Sequence, residues 1–561
     1  MSYLKVSTGD NDSSPLGDRH DSFELDSLAS SDDDFSQHTP SSRGLSPLGS
    51  PIHNDGSDRD DFMNENDYLT TGYNTRQSRS NSASTLGDVM FNIPSTRERR
   101  SDLEVPLEKQ KRLSLLNGLS LVIGLQIGSG IFASPTQVDL HAGSVGTSLI
   151  VWIIAGLLAW TGASSYAELG TAIPLNGSSQ AYLNHIFGPL PSFLFSWTAV
   201  TVLKPGGAAI IALVFGEYFA RSLCIPIVDT YWGHKIFAII GISLVTGINC
   251  FSTRLGARTS NVFLVLKVVL LLALPVLGVI GLLTMSSDSE KPALTSHNPF
   301  EGASKNLGDY AIALYAGLWA YDGWDNVNYV VAEMKNARRD VPRVIHIAMP
   351  VVIIAYLLAN LSYYAVLTKE EMIASTTVSV TFANKLLGKA GGIIFALFIS
   401  FSCLGALNAS VFTAARLIYT SAKDEFFPAI FGHTHTKTNT PVNSLLLQGG
   451  LTAFFVLIGE FKSLLTFYGI AGYLFYFLTV FGVIVLRIKE PLLDRPYKTF
   501  IITPILFCCV ALFLVLRTVI EKPLESIYAL LFIALGVPIY IWKFGISFKE
   551  LFSMATSFKK F

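Results

Sequence analysis

Charge is what this sequence has least of. Only 15% of its 561 residues are Asp, Glu, Lys or Arg, where a soluble domain of this length carries about 25%. The charges also cancel, with 41 basic residues against 42 acidic ones for a net −1, so nothing argues for nucleic-acid binding. Cysteine is scarce as well. Cys224, Cys250, Cys403, Cys508 and Cys509 lie mostly in apolar runs and show no metal-ligand spacing. The ten histidines include no HExxH pair and no Cys–His cluster. His346 alone opens an apolar segment; the others read as tail, loop or segment ends. An intramembrane hydrolase needs paired catalytic or metal-binding groups, and a channel shows rings or a repeated filter motif. Neither pattern occurs, and neither a metal nor a cofactor is expected. The start, MSYLKVSTGD, lacks a signal-peptide pattern, so the first apolar segment is expected to direct insertion.

Apolar residues fill the space that charge leaves. They make up 50% of the chain, with a mean hydropathy of +0.44. They are not spread evenly. Residues 1–105 are rich in Ser, Asp, Gly and Asn, with runs such as Ser30-Ser31-Asp32-Asp33-Asp34. Such a stretch buries too little apolar surface to offset chain entropy and is expected to be a disordered cytoplasmic tail. Its Ser-Pro and Ser-Asp pairs are candidate phosphorylation sites. Lys5 is its only lysine before Lys109, so ubiquitin attachment within the tail would have to use it. Residues 546–561 form a second short tail.

Between the tails, 106–545 hold twelve segments of spanning length, about 20 residues each. Their limits are near 114–138, 148–170, 192–220, 236–252, 261–285, 308–332, 344–367, 391–419, 443–459, 463–487, 500–518 and 525–543. The reading is an all-α polytopic membrane protein with twelve transmembrane helices. Basic residues cluster in alternate connections: Arg254 and Arg258; Lys335, Arg338, Arg339 and Arg343; Arg487, Lys489, Arg495 and Lys498. By the positive-inside rule both termini are cytoplasmic.

Two segments, the first and the sixth, are interrupted midway. LSLVIGLQIGSGIFASP centres on Gly128-Ser129-Gly130, and YAIALYAGLWAYDGWDNVNYVV on Asp322-Gly323-Trp324-Asp325. A helix broken at mid-bilayer leaves backbone groups open, which is tolerated only where protein or water satisfies them. Paired interruptions in corresponding halves point to a transporter's binding site. Open amides at Ser129-Gly130 suit a carboxylate, although glycine-mediated helix packing explains a lone GxG equally well. Released carbonyls near Ala320 and Tyr321 suit an ammonium. Asp322 and Asp325 are functional candidates by their depth, and Trp319 and Trp324 offer walls or a gate. The pair describes a site for a zwitterion, a free α-amino acid. Two lysines also fall inside spans: Lys267 among apolar residues of the fifth, and Lys204 beside Pro205 at a distorted point of the third. Both are gating or coupling candidates, with snorkelling as the alternative. Glu168, closing the second segment, reads as structural.

IGSGIFASP, SYAELGTAIPLNGS and GLWAYDGWDNVNYVVAEMKNARRDVPR together resemble the L-type amino acid transporters. These are the light-chain class of the amino acid, polyamine and organocation superfamily, which includes fungal permeases. The resemblance covers roughly 110–545 and implies a LeuT-type fold. That is a 5+5 inverted repeat, about 114–285 and 308–487, with helices 1 and 6 broken and two further helices over about 500–543. It implies that Ser129 and Gly130 contact the substrate carboxylate, that Ile127 and Gly128 line the break, and that the Ala320 carbonyl meets the amine. Trp319 occupies the family's aromatic gate position, and Tyr321, Asp322, Gly323 and Asp325 complete the expected binding set. Lys267 matches a lysine that stands where sodium sits in sodium-coupled relatives, implying sodium-independent exchange or proton coupling. Strictly neutral-substrate members carry Gly where this chain has Asp322, so cationic amino acids join neutral ones as candidate substrates. A narrower methionine-type permease and a non-transporting receptor are the alternatives. Cys224 matches the position where animal members bridge to a glycoprotein heavy chain; the tail and permease-like core suggest a fungal-type protein without that partner. Plasma membrane is the family-level expectation.

Overall fold

The mostly apolar sequence leaves backbone hydrogen bonding to be satisfied within each segment, and helices are the open-ended way to do so in lipid. The computed structural model describes residues 111–223, 232–284, 292–295, 298–375, 377–458 and 461–545. The tails, Lys5 and Cys224 lie outside these residues. Among the described residues all regular structure is helical, apart from one parallel bridge between Leu113 and Met334.

The first segment comprises α1 (Leu115–Gln126), the one-turn α2 (Gly130–Ala133) and α3 (Pro135–Ala142). It is followed by α4 (Val145–Ala172), α5 (Ser179–Phe187) and α6 (Pro189–Thr198). A π turn at Ala199–Leu203 joins α6 to α7 (Lys204–Ser222), and α8 (Gly233–Phe251) and α9 (Thr253–Thr284) come next. The sixth segment begins with α10 (Leu307–Ala320) and continues as two 3-10 turns, Asn326–Tyr329 and Val331–Glu333. The remainder is α11 (Ala337–Val366), α12 (Lys369–Ala374), α13 (Val378–Lys423), α14 (Val442–Ile458), α15 (Phe461–Lys489), α16 (Ile502–Glu521) and α17 (Pro523–Phe544).

Ten helical segments among the described residues are long and apolar enough to cross a membrane. Two of the expected twelve fall short, and only α14 does so by length alone. α10 stops at the break after 14 residues, and α14 has 17. The second half of the sixth segment is not the continuous helix its hydropathy suggests; it runs as 3-10 turns after Gly323, whose φ of +105° no helix accommodates. α13 reaches well ahead of the expected eighth span and bends at Gly388, φ +67°. The distortion expected beside Lys204 is the π turn, one extra residue in the helical ladder.

Which side of each helix meets lipid is written in the burial pattern. On α9, Val262, Val265, Val269, Leu272 and Val276 are all exposed, at 58–67%. The opposite stripe of Ser260, Lys267, Leu271 and Leu274 is buried. An apolar band of that size is an association hazard in water and the normal state of a helix in a bilayer. α16 and α17 show the same one-sided exposure, whereas α13 is buried along most of its length.

One buried ionic cluster fixes the end of the body that carries the end of α4. Glu168 accepts from Arg487 Nε at 2.9 Å and Nη2 at 2.5 Å, and from the Thr499 backbone N–H at 2.9 Å. Arg495 stands 3.6 Å away. One carboxylate thereby ties α4 to the end of α15 and to the connection leading into α16, which is the structural role expected of it. Glu168→Ala would leave two guanidinium groups without their counter-ion in a dry setting. We expect a loss of about 3–5 kcal/mol, read as a marked drop in the melting temperature of the purified protein, while Arg338→Ala, at an exposed pair with Asp494, should change little.

Candidate functional site

α1 ends at Gln126 because the next residues cannot continue it. Ile127 sits at φ −76°, ψ +66°, and Gly128 turns its amide back to the Gln126 carbonyl at 2.7 Å. A helix end leaves about four carbonyls unpaired, and side chains from neighbouring helices answer most of them. Lys267 donates to the Gly124 carbonyl, Tyr356 to that of Gln126, and Ser402 to that of Ile127 at 3.2 Å. Beyond the break, the amides of Ser129, Gly130 and Ile131 have no backbone acceptor among the described residues.

The end of α10 is treated in the same way. The Tyr321 carbonyl accepts from Gln126 Nε2 at 2.9 Å, and the Ala320 carbonyl accepts from the Tyr356 hydroxyl at 3.0 Å. Gln126 and Tyr356 therefore each join one interrupted segment to the other. The Tyr356 hydroxyl faces two carbonyls, Gln126 and Ala320, with a single proton to give. One of the two always retains acceptor capacity. The breaks also touch directly: a Cβ on Gly130 would lie 2.6 Å from Ala320 Cα, so glycine there is a condition of contact. Gly323, at its positive φ, brings its backbone against Leu125.

At this junction lies a cavity bordered by Ser129, Gly130, Trp319, Ala320, Asp322 and Lys204, with Gln126, Gly207 and Ser410 among the remaining walls. Its volume is about 40 Å³, room for a few waters and far below the roughly 300 Å³ at which small-molecule sites begin. The space is too small for an amino acid in this conformation. A larger molecule enters only if the walls move.

Five of the ten binding residues named from the sequence border this cavity: Ser129, Gly130, Trp319, Ala320 and Asp322. The other five stand behind it. Ile127 is core, and Gly128 backs onto Ala406. The Tyr321 ring packs 4.8 Å from Tyr356 and 6.0 Å from Trp152. Gly323 supplies the turn. Asp325 is 1% exposed, with its Oδ2 lacking a partner among the described residues. Asp322 accepts from the Tyr476 hydroxyl at 3.1 Å, so its carboxylate is steered by α15 while it lines the cavity. Trp324 is packing, not wall: it lies against Tyr166, Tyr476 and Phe507. Lys204 follows the π turn, its ammonium 4.1 Å from the centroid of the Tyr329 ring. Lys267 is fully buried, held to the first break.

Gln126, Tyr356, Ser402 and Tyr476 were not picked out from the sequence. Gln126 did carry a signal, a carboxamide inside LSLVIGLQIGSG. Tyr356, Ser402 and Tyr476 carried none, since hydroxyls are common in spanning helices and only the fold shows which carbonyl each one meets.

Two interrupted segments meeting at a small polar cavity within a helical, lipid-facing body define a secondary transporter. Residues 113–544 match the amino acid permease family. The chain is 37% identical over 444 residues to the b(0,+)-type amino acid transporter 1 of Mus musculus, an overlap of 78% of this chain and 89% of that one. It is 33% identical to the human cystine/glutamate transporter, over 81% of this chain and 89% of the relative. It is 35% identical to the large neutral amino acids transporter small subunit 2 of Mus musculus, over 77% and 80%. The chain belongs to the amino acid permease family, and it is an integral membrane transporter of amino acids.

If Tyr356 couples the two breaks, Tyr356→Phe should preserve the fold and cost transport. Losing one buried hydroxyl bond is worth about 1–3 kcal/mol, and we expect uptake into proteoliposomes to fall roughly ten- to hundred-fold. Undiminished uptake by a correctly folded variant would rule the coupling out.

Proposed function

We propose that the chain carries L-amino acids, neutral ones and also cationic ones, by alternating access between two faces of the membrane. The carboxylate sits against the free amides of Ser129, Gly130 and Ile131, and the α-ammonium against the Ala320 carbonyl. The observation that carries this reading is the junction itself, where open amides and an incompletely used carbonyl border one cavity. Polyamines have no carboxylate to place there, which disfavours them.

Trp319 borders the cavity and would close over the substrate as its gate. Ile127, Gly128, Tyr321, Gly323 and Asp325 would shape the break from behind. Lys267 places its amino group on the Gly124 carbonyl at the end of α1, which would make a bound sodium ion unnecessary there and favours exchange or proton coupling. Lys204 would sense the same rearrangement through α7. The architecture is a 5+5 inverted repeat, about 114–285 and 308–487, with two appended helices and twelve spans in all. Both termini face the cytoplasm and the host membrane is the plasma membrane. Residues 1–105 serve as a regulatory tail. One relative's name marks it as a small subunit; a link through Cys224 to a partner chain is the less favoured reading, and non-reducing gels decide it, since a higher-mass species that vanishes with Cys224→Ser would establish the link and its absence would leave Cys224 a free loop cysteine.

Asp322 decides breadth. Its carboxylate borders the cavity and can pair with a second cationic group on the substrate. A labelled amino-acid panel, offered to proteoliposomes with and without internal amino acid or a proton gradient, tests the whole reading; no saturable uptake of any member would sink it. Asp322→Gly should depress uptake of arginine or lysine at least ten-fold more than that of leucine, and an equal loss for both would assign Asp322 to structure.

A further inference from the structure

Away from the junction, a cleft of about 360 Å³ lies where the chain enters α1 and where α9 begins. Its walls carry Lys111, Arg112, Arg254, Arg258 and Lys335, and no acidic residue. Among the described residues none of these five basic side chains is in an ion pair. Nearby Arg338 shows the contrast, being paired with Asp494 at 3.0 Å. Arg254 also stands in the first turn of α9, which contains no acid, although the positive end of a helix disfavours a cation. Like charges gathered in a concave site repel one another and focus a field that attracts a counter-charge.

We propose that this cleft binds a multivalent phosphate group. Guanidinium forks match phosphate oxygens in pairs, and lysines add point charges; a single carboxylate would neutralise too little of the site. The exposed apolar face of α9 includes Leu255 and continues past Arg258 through Val262, which puts the cleft beside the apolar surface that would meet lipid. A polyphosphorylated lipid headgroup and a soluble polyphosphate present the same chemistry to it.

The walls belong to parts that have to separate if this face opens. Leu113 is held to the end of the sixth segment by two backbone bonds, to the Glu333 carbonyl at 3.0 Å and from the Lys335 amide at 2.9 Å. Asn117 on α1 reaches Asn261 on α9 at 3.4 Å. A phosphate cluster spanning Arg112, Arg254 and Lys335 adds a third tie and holds this face shut. That consequence rests on the alternating-access reading; the binding does not.

The full chain in nanodiscs tests both. Three preparations would contain phosphatidylcholine alone, or with phosphatidylserine, or with phosphatidylinositol 4,5-bisphosphate; a fourth arm adds soluble inositol hexakisphosphate. We expect at least ten-fold enrichment of the bisphosphate lipid over phosphatidylserine by native mass spectrometry, or saturable binding of the soluble polyphosphate. Either supports the site and tells which source fills it. The triple variant Arg254→Gln/Arg258→Gln/Lys335→Gln should weaken binding on the order of a hundred-fold, at about ten-fold or less per charge. Arg338→Gln should leave it unchanged. Hydrogen exchange over 111–120 should slow with ligand in the wild type and not in the triple variant. Equal enrichment of phosphatidylserine, or equal loss with Arg338→Gln, would mean a general surface charge and overturn the proposal. So would undiminished binding by the folded triple variant. Binding without slowed exchange would overturn the gate tie alone and leave the amino acid site untouched.

Discussion

In hydrocarbon an unanswered carbonyl costs several kcal/mol, and this body contains two places where a helix stops in its interior. Everything near the junction is arranged around that cost. Lys267, Tyr356, Ser402 and Gln126 come from different segments and converge on the carbonyls of Gly124, Gln126, Ile127 and Tyr321. The satisfaction is cross-wise: α1 is completed by α9, α11 and α13, and α10 by α1 and α11. A break of this kind persists only while all those partners stay in place, so its geometry reports the arrangement of the whole body.

The polar residues elsewhere divide by the same test. Glu168 with Arg487, and Glu333 with Arg416 at 3.2 Å, are charges that answer one another and pin segments together. Asp322 is different because it faces a cavity, and Lys204 because its ammonium rests on an aromatic ring while bordering the same space. A buried charge that faces an opposite charge reads as architecture, whereas one beside open volume is a candidate for recognition. Asp325 fits neither kind, being buried with one oxygen unanswered among the described residues and set back from the cavity.

Much of this was legible in the residue order because the relevant signals are local. Gly128-Ser129-Gly130 and Asp322-Gly323 break helices through their own backbone preferences, and the structure interrupts both segments there. The lysine beside Pro205 marked the π turn, and Glu168 was readable as structural from its position at a span end. What stayed hidden depended on distant partners. The 3-10 path after Gly323 follows from how the turn packs on Leu125, and hydropathy cannot register that. The separation of the ten named binding residues into cavity wall and backing depends on the path of the backbone through each break and on side-chain direction. Tyr356 is one tyrosine among 21, and only its position opposite two helix ends distinguishes it.

The contact between Gly130 and Ala320 has a consequence for how such a carrier can change over generations. The groups that would read the invariant part of an amino acid, its carboxylate and ammonium, are peptide amides and a peptide carbonyl. Among substitutions only one to proline removes such a group, since proline lacks the N–H, and at Gly130 any change that adds a side chain meets the opposite backbone. Selection can therefore work freely on Trp319, Asp322, Ile211 and Ser410 around the same space, altering which side chain is accepted. On that reading, recognition of the amino acid as such would be inherited with the main chain.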